Sequence, residues 1–297
     1  MISTACRRAE DFVRVSRSHD SGAVDPGPFT FAQASRWSEV RGAFSLLYRN
    51  YLSRGLIPPD GVGLRYTHFN LLPESATFVA SEGGQVVATF SLIPDTRSFG
   101  LPMDALYAKE LAALRPGRRP AEISGLAVAP SYESVTLLLI LNLVRMMYAY
   151  AQRTGITDLV VACHPRHARL YARLFRFEEL GPLRTYRAVN DAPAVALRLD
   201  IETAEERYRE AFGEGQGLHG FLFRQRTTEL PWIPLRVGAM DTEAIRQLLT
   251  LRPEMLDLLE AGEPGLAARI SGWHVPTARR FLENAPTAGW FPAFVPA

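Results

Sequence analysis

Residues 122–134 read EISGLAVAPSYES, and a strand and a candidate binding loop meet within this stretch. Its first half is typical of a strand, in which successive side chains point to opposite faces of a sheet. Pro130 cannot donate to a strand ladder, so a central strand should leave its neighbour there and expose N–H groups around Val128. Such donors can hold an oxyanion. Alternation predicts one face with Glu122, Ser124, Leu126 and Val128, and the other with Ile123, Gly125 and Ala127.

Glu122 is the candidate base of this strand. A carboxylate that begins a central strand and faces a cleft can take a proton from an amine nucleophile. The alternative is that Glu122 pairs with a surface arginine, which is the commoner fate of a single glutamate.

The second half, from Ser131 onward, lies where a helix begins, and a helix N-terminus attracts phosphate. A loop that binds a diphosphate closely usually contains glycine, because a Cβ atom keeps the backbone at a distance. This loop has no glycine, and Glu133 would repel an anion. The hydroxyls of Ser131 and Ser134 are therefore expected either to hold one phosphate or to cap the helix.

Residues 164–181, HPRHARLYARLFRFEELG, predict an amphipathic helix after a buried strand. The Tyr171 hydroxyl could protonate a leaving thiolate, or Tyr171 could pack inward with its leucine neighbours. Arginines at three- and four-residue steps would share one basic face, which either docks an acidic partner or is simply solvated. This face comprises Arg166, Arg169, Arg173 and Arg176.

The remaining patterns predict an α/β sheet of mixed direction flanked by helices. Residues 1–28 are expected to be a flexible lead-in, residues 29–202 the core, and residues 203–297 a helical C-terminal extension. The elements expected in the core are a helix within 31–57, a hairpin within 76–94, a helix within 103–117, the strand 122–130, a helix within 134–155, a strand at 158–163, a helix at 165–175 and a strand at 194–201.

Composition narrows the class of protein. The 297 residues carry a net charge of +2, so bulk charge favours neither nucleic acid nor a membrane surface as a partner. Cys6 and Cys163 are too far apart in sequence to indicate a disulfide framework or a metal site. Lys109 is the only lysine, an arginine bias typical of GC-rich bacterial genes. The charged N-terminal stretch and the interrupted apolar run at 135–147 favour a cytoplasmic protein without stable membrane insertion.

Several segments together resemble a known fold. EISGLAVAP, the helix after it and DLVVACHPRHARLYARLFRFEELGPLRTYRAVNDAPAVALRLD resemble the GCN5-related N-acetyltransferase (GNAT) fold. With LLYRNYLSRGLIPP and GLPMDALYAKELAALR, they are similar to the N-acyl amino acid synthases of the FeeM type, over roughly residues 40–201. Autoinducer synthases are related, but Gly125 stands where their E-x-S-R strand has arginine. The L-G-F usual after the helix tyrosine is replaced by Leu174-Phe175-Arg176-Phe177.

The resemblance implies an acyltransferase that moves a long-chain fatty acyl group from an acyl carrier protein to the amine of an amino acid. Relatives that use coenzyme A hold its diphosphate in a glycine-containing loop, whereas the phosphopantetheine of a carrier protein has a single phosphodiester. The glycine-free loop therefore fits a carrier-protein donor. Neither a metal nor a bound cofactor is expected. The implied roles are Glu122 as base, Tyr171 as acid, Val128 as oxyanion donor, Ser131 and Ser134 at the phosphate, and Arg166, Arg169, Arg173 and Arg176 at the carrier protein.

Two other functions stay open from the sequence. One is a different small-molecule acyltransferase, either a GNAT enzyme that uses coenzyme A or an autoinducer synthase. The other is a GNAT module that binds an acylated partner without catalysis.

Overall fold

A mixed sheet organises the protein, whose computed structural model describes residues 27–224 and 240–283. The expected lead-in at 1–28 lies almost entirely outside these residues. The strands are β1 (Thr30–Gln33), β2 (Ala76–Glu82), β3 (Gln85–Pro94), β4 (Pro120–Val128), β5 (Asp158–Cys163), β6 (Glu178–Tyr186) and β7 (Ala192–Asp200). They form one seven-stranded sheet in the order β1-β2-β3-β4-β5-β7-β6. Neighbours are antiparallel except β4 and β5, which are parallel, so the predicted mixed sheet is confirmed.

Helices cover both faces of the sheet. The α-helices of six or more residues are α1 (Trp37–Ser53), α2 (Asp104–Leu114), α3 (Thr136–Thr154), α4 (Pro165–Leu174), α5 (Ile201–Phe212), α6 (Thr242–Leu251), α7 (Glu254–Gly262), α8 (Leu266–Ser271) and α9 (Val275–Glu283). The core on one face is built with α3, α4 and α5. On the other face α1 packs together with α6, α7 and α8, and α2 packs over β5 and β7.

The hairpin of β2 and β3 follows the sequence prediction. Its two turn residues, Gly83 and Gly84, both have positive φ angles, 55° and 81°. A two-residue turn of this kind matches the twist of the strands, and glycine adopts it without a steric penalty. The Gly-Gly signal therefore fixes the register between Glu82 and Gln85.

Two strands were not predicted. The sequence favoured a helix from residue 31, but residues 30–33 pair with β2 as an edge strand, with Phe31 buried in the core, and α1 begins only at Trp37. β6 is also an edge strand, and its alternation is hidden because most of its side chains are exposed and its pairing shifts around Gly181. Neither pairing is visible in local sequence.

A β-bulge in β4 corrects the predicted faces. The pairing with β3 shifts between Ser124 and Ala127, so Gly125 and Leu126 together oppose the single residue Phe90. An extra residue on one strand reverses its alternation beyond that point. The prediction was therefore right for the first residues of the strand and wrong after Gly125. The face with Glu122 carries Ser124 and Ala127, and the opposite face carries Ile123, Leu126 and Val128.

Gly125 is the glycine that the bulge requires. Its φ angle is 66°, and a Cβ atom there would lie 2.9 Å from Leu47 Cδ2 on α1. Both the backbone conformation and the close approach of α1 exclude a larger side chain.

The helix α3 is the central helix of the core. It ends as predicted at Gly155, which has a φ angle of 68°. A 3₁₀ turn, Pro130–Val135, precedes it, so the regular helix begins at Thr136. Turn and helix together, Pro130–Thr154, are long and apolar enough to cross a membrane, but 67% of the apolar window is buried within the protein. Its packing against β2 and β3 gives that apolarity a structural role.

The described C-terminal helices share a core with α1. The Tyr66 hydroxyl donates to the Leu248 carbonyl at 2.7 Å, and the Asp241 N–H donates to the Ser35 carbonyl at 3.0 Å. The helical character expected of residues 203–297 is present in the described part as α5 to α9. The domain boundary at 202/203 stays a prediction.

Candidate active site

A gap between β4 and β5 forms the candidate site. These strands pair only from Pro120 to Glu122 of β4, although β4 continues to Val128. On the β3 side, the Ala129 N–H donates to the Val87 carbonyl at 2.8 Å. Because the backbone groups of a strand alternate in direction, the Val128 N–H points away from β3 into the gap.

The α1 helix closes the gap on one side. The Asn50 amide, which is buried, donates to the Val128 carbonyl at 3.3 Å. This bond occupies the carbonyl of Val128 and leaves its N–H facing the opening. Sequence reasoning missed Asn50, although an amide on the apolar face of a predicted helix was a weak signal for it.

Glu122 lies where the two strands separate. Its side chain is buried, at 4% exposure, and accepts a hydrogen bond from the Met103 N–H at 2.7 Å. Burial raises the pKa of Glu122 to about 8; the Met103 N–H opposes this rise and the nearby Asp104 carboxylate adds to it. The alternative of a surface pair with an arginine does not fit a carboxyl group buried to this degree. A base of this strength suits proton removal near neutral pH.

Three tyrosines from different elements lie close to one another here: Tyr51 of α1, Tyr171 of α4 and Tyr186 of β6. Glu122 acts electrostatically on Tyr51 and Tyr186, and Tyr51 acts on Tyr171. Burial, and then the charges of Glu122 and Tyr51, raise the pKa of Tyr186 to about 12. Burial also raises the pKa of Tyr51 and of Tyr171, with Glu122 adding to the first and Cys163 and Tyr51 to the second. All three phenols therefore stay protonated at neutral pH and can donate a proton or a hydrogen bond.

Tyr171 keeps its place despite the missing glycine. Arg176 adopts a φ angle of 60°, the left-handed conformation that a glycine would take after a helix. The chain turns back, and the Phe177 N–H donates to the Tyr171 carbonyl at 3.1 Å. The Tyr171 ring packs against Phe177 with centroids 5.3 Å apart, so the side chain packs inward.

Two other reactive groups near the site are poor candidates for chemistry. Burial raises the pKa of the Cys163 thiol, at the end of β5, to about 12, so the thiolate needed for nucleophilic attack is scarce at neutral pH. Burial and the charges of Arg166 and His164 lower the pKa of His167 to about 4, which makes it a weak base. At neutral pH, therefore, Cys163 is a weak nucleophile and His167 a weak base.

Ser131 and Ser134 lie in the 3₁₀ turn next to Val128, and both are exposed. Neither this turn nor α3 has a side-chain cap, so the capping alternative is wrong for both serines. Tyr132 anchors the turn by donating to the Glu82 carboxylate and by packing its ring edge-on against Phe29. The exposed hydroxyls therefore face solvent at the mouth of the gap.

The basic face predicted around α4 contains three of its four arginines. Arg166, Arg169 and Arg173 are exposed on α4. Arg176 follows the end of the helix, where its half-buried side chain acts electrostatically on Tyr208. The left-handed turn at Arg176 removes it from the face, which leaves three arginines. Among residues 27–224 and 240–283, no group of three or more His, Cys, Asp or Glu side chains could hold a metal ion.

Comparisons with known proteins place the chain in a family. The family model for the N-acyl amino acid synthase FeeM matches residues 42–200, more than half of the chain. The solved structure of FeeM, from uncultured soil microbes, is 27% identical with a TM-score of 0.53, and the match covers 60% of this chain and 94% of that one. No curated protein sequence matches.

Two further solved structures are similar at lower identity. MesI, a CoA-dependent acyl-homoserine lactone synthase, is 19% identical with a TM-score of 0.46, and the match covers 62% of this chain and 95% of that one. An acyl-CoA N-acyltransferase from Pseudomonas aeruginosa is 15% identical with a TM-score of 0.39, and the match covers 57% and 97%. On the family match to residues 42–200, the chain belongs to the FeeM family of N-acyl amino acid synthases and is an N-acyltransferase.

Proposed function

We propose that the protein transfers a long-chain fatty acyl group from an acyl carrier protein to the α-amine of an amino acid. The observation that carries this proposal is the buried Glu122 carboxyl at the point where β4 and β5 separate, with the Val128 N–H facing the same gap. A proton acceptor and an oxyanion donor beside one opening are the two groups that aminolysis of a thioester requires.

The proposed reaction is a direct displacement. The amine nitrogen attacks the thioester carbonyl and forms a C–N bond, while Glu122 accepts the amine proton, directly or through water. The Val128 N–H stabilises the oxygen that becomes negative. The tetrahedral intermediate then expels the pantetheine thiolate, to which the Tyr171 hydroxyl donates its proton. The products are the N-acyl amino acid and the free thiol, and the Glu122 proton returns to Tyr171 through solvent.

The turn after β4 supports a carrier-protein donor. Ser131 and Ser134 offer two exposed hydroxyls, enough for the single phosphodiester of phosphopantetheine. The turn has no glycine to bring several backbone N–H groups close to a diphosphate. Arg166, Arg169 and Arg173, exposed on α4, supply positive charge for the acidic carrier protein. A cytoplasmic location, where such a donor is available, is part of this proposal.

An apolar path beside the gap supports a long acyl chain. Several side chains on the first turns of α3 and on the neighbouring face of β4 are only partly buried, so apolar surface remains accessible there. They are Leu126, Val128, Leu137, Leu138, Ile140 and Val144. Burial of a methylene group contributes about 0.8 kcal/mol, so such a path would favour long donors.

The test compares donors and acceptors with the purified chain. Palmitoyl carrier protein, palmitoyl-CoA and acetyl-CoA are each incubated with a mixture of the twenty amino acids, and products are identified by mass spectrometry. The expected result is N-palmitoyl amino acid, formed fastest from the carrier protein. Preference for acetyl-CoA, or donor binding without product, would each contradict the proposal.

The role of Glu122 is tested in the same assay. Replacement by glutamine keeps the shape of the side chain and its acceptance of the Met103 N–H, but removes the base. Turnover of the Glu122→Gln variant should fall by on the order of 100-fold or more while donor binding is unchanged. A near-normal rate across the pH range would remove Glu122 from the mechanism.

A further inference from the structure

An open-sided cleft of about 330 Å³ lies beside the C-terminal end of α1, and the mechanism above makes no use of it. This volume is within the range of small-molecule sites, about 300–1,000 Å³. Its walls are the loop at residues 56–58, the turn between β6 and β7, and Met255 of α7. The cleft is therefore built partly by the C-terminal helical segment, which lies outside the family match at residues 42–200.

Arg65 connects this cleft to the candidate site. It lines the cleft, and its Nη2 donates to the Ala188 carbonyl at 3.1 Å. Its guanidinium carbon lies 5.7 Å from the centroid of the Tyr51 ring. The charges of Arg65 and Glu122 both act on Tyr51 and on Tyr186, so the two tyrosines lie near the arginine and near the carboxyl group.

The charge of Arg65 is not neutralised by the protein. In the described part of the chain, no carboxylate lies within ion-pair distance of Arg65, whereas Arg252, which also lines the cleft, is paired with Asp60 at 2.5 Å. A guanidinium group has five N–H donors, and the hydrogen bond to Ala188 uses only one nitrogen of Arg65. A half-buried arginine with free donors is the side chain best suited to bind a carboxylate with two parallel hydrogen bonds.

We propose that the cleft binds the acceptor amino acid, with Arg65 holding its α-carboxylate and its amine directed past Tyr51 to Glu122. The apolar residues Leu56, Ile57 and Met255 then receive the side chain, which selects acceptors with neutral, apolar or aromatic side chains. The inference rests on the proposed function, and it assigns to that reaction a specificity-determining residue, Arg65, and a wall supplied by α7.

Binding of acceptors without a donor tests the inference. Isothermal titration calorimetry on the full chain compares L-leucine and L-phenylalanine with their amides, which keep the amine and side chain but lack the carboxylate. The acids should bind at least about 10-fold more tightly than the amides, as expected for one charge-assisted pair. The Arg65→Gln variant should bind both forms equally weakly. The control Arg49→Gln, an exposed α1 arginine bonded to Ser45, should keep the preference.

Three results would overturn the inference: amides that bind as tightly as acids, an Arg65→Gln variant that keeps the preference, or no binding of either acid. If Arg65→Gln does not fold, Arg65→Lys serves instead, because it keeps the charge and should lose only part of the preference. The outcome is separable from the proposed function. If the acids bind preferentially but no donor gives acyl transfer, the cleft binds amino acids and the proposed reaction is wrong. If acyl transfer occurs without that preference, only the assignment of the cleft as the acceptor site is wrong.

Discussion

The Glu122→Gln replacement should change how stability depends on pH. Burial raises the pKa of Glu122 from 4.5 to about 8, so between these pH values the folded protein keeps a proton that the unfolded chain releases. The free energy of unfolding of the wild-type protein should therefore fall, relative to the variant, as the pH rises from about 5 to about 8. At about 1.36 kcal/mol for a pKa difference of one, the full effect is on the order of 5 kcal/mol.

Urea unfolding of both proteins, measured at intervals from about pH 5 to about pH 9, gives this difference directly. Other titrating groups are present in both proteins, so their effects cancel. A Glu133→Gln variant, which changes an exposed carboxylate of the 3₁₀ turn, serves as the control and should show no such trend. A difference between wild type and Glu122→Gln that stays constant across the range would refute both the raised pKa and the physical argument for the base.

Three further outcomes are expected. Cys163→Ser should keep turnover within a few-fold, because the buried thiol stays protonated; loss of turnover would indicate an acyl-cysteine intermediate. Gly125→Ala should lower the free energy of unfolding in urea by about 1 kcal/mol or more beyond the control Gly117→Ala. Both glycines have positive φ angles, but only Gly125 faces Leu47, so equal losses would contradict the argument. Arg169→Glu combined with Arg173→Glu should raise KM for the carrier protein at low salt but not for a small pantetheine thioester. If the double variant and the wild type have the same kinetics with the carrier protein, these arginines are only a solvated surface.

Local patterns drew attention to two residues of the candidate site. Glu122 and Tyr171 were proposed because each begins or follows a recognisable strand. The structure buries Glu122 where β4 and β5 separate and brings Tyr171 within electrostatic range of Tyr51. Asn50 and Arg65 were missed, since one lies in the last turn of a helix and the other in an irregular segment. Each was noticed only through a contact in the fold: Asn50 bonds to Val128, and the Arg65 guanidinium lies near the Tyr51 ring.

The sequence by itself determined the hairpin, the strands β4, β5 and β7, and the long apolar helix, because glycine turns and hydrophobic periodicity are local properties of the chain. Tertiary structure alone decided the edge strands β1 and β6, the reversed faces of β4 beyond Gly125, and the departure of Arg176 from the basic face. Edge pairing, a bulge and a positive φ angle at an arginine are stabilised by partners elsewhere in the fold. The raised pKa of Glu122 has the same origin, since it depends on how completely α1, α2 and the sheet remove that carboxyl group from water.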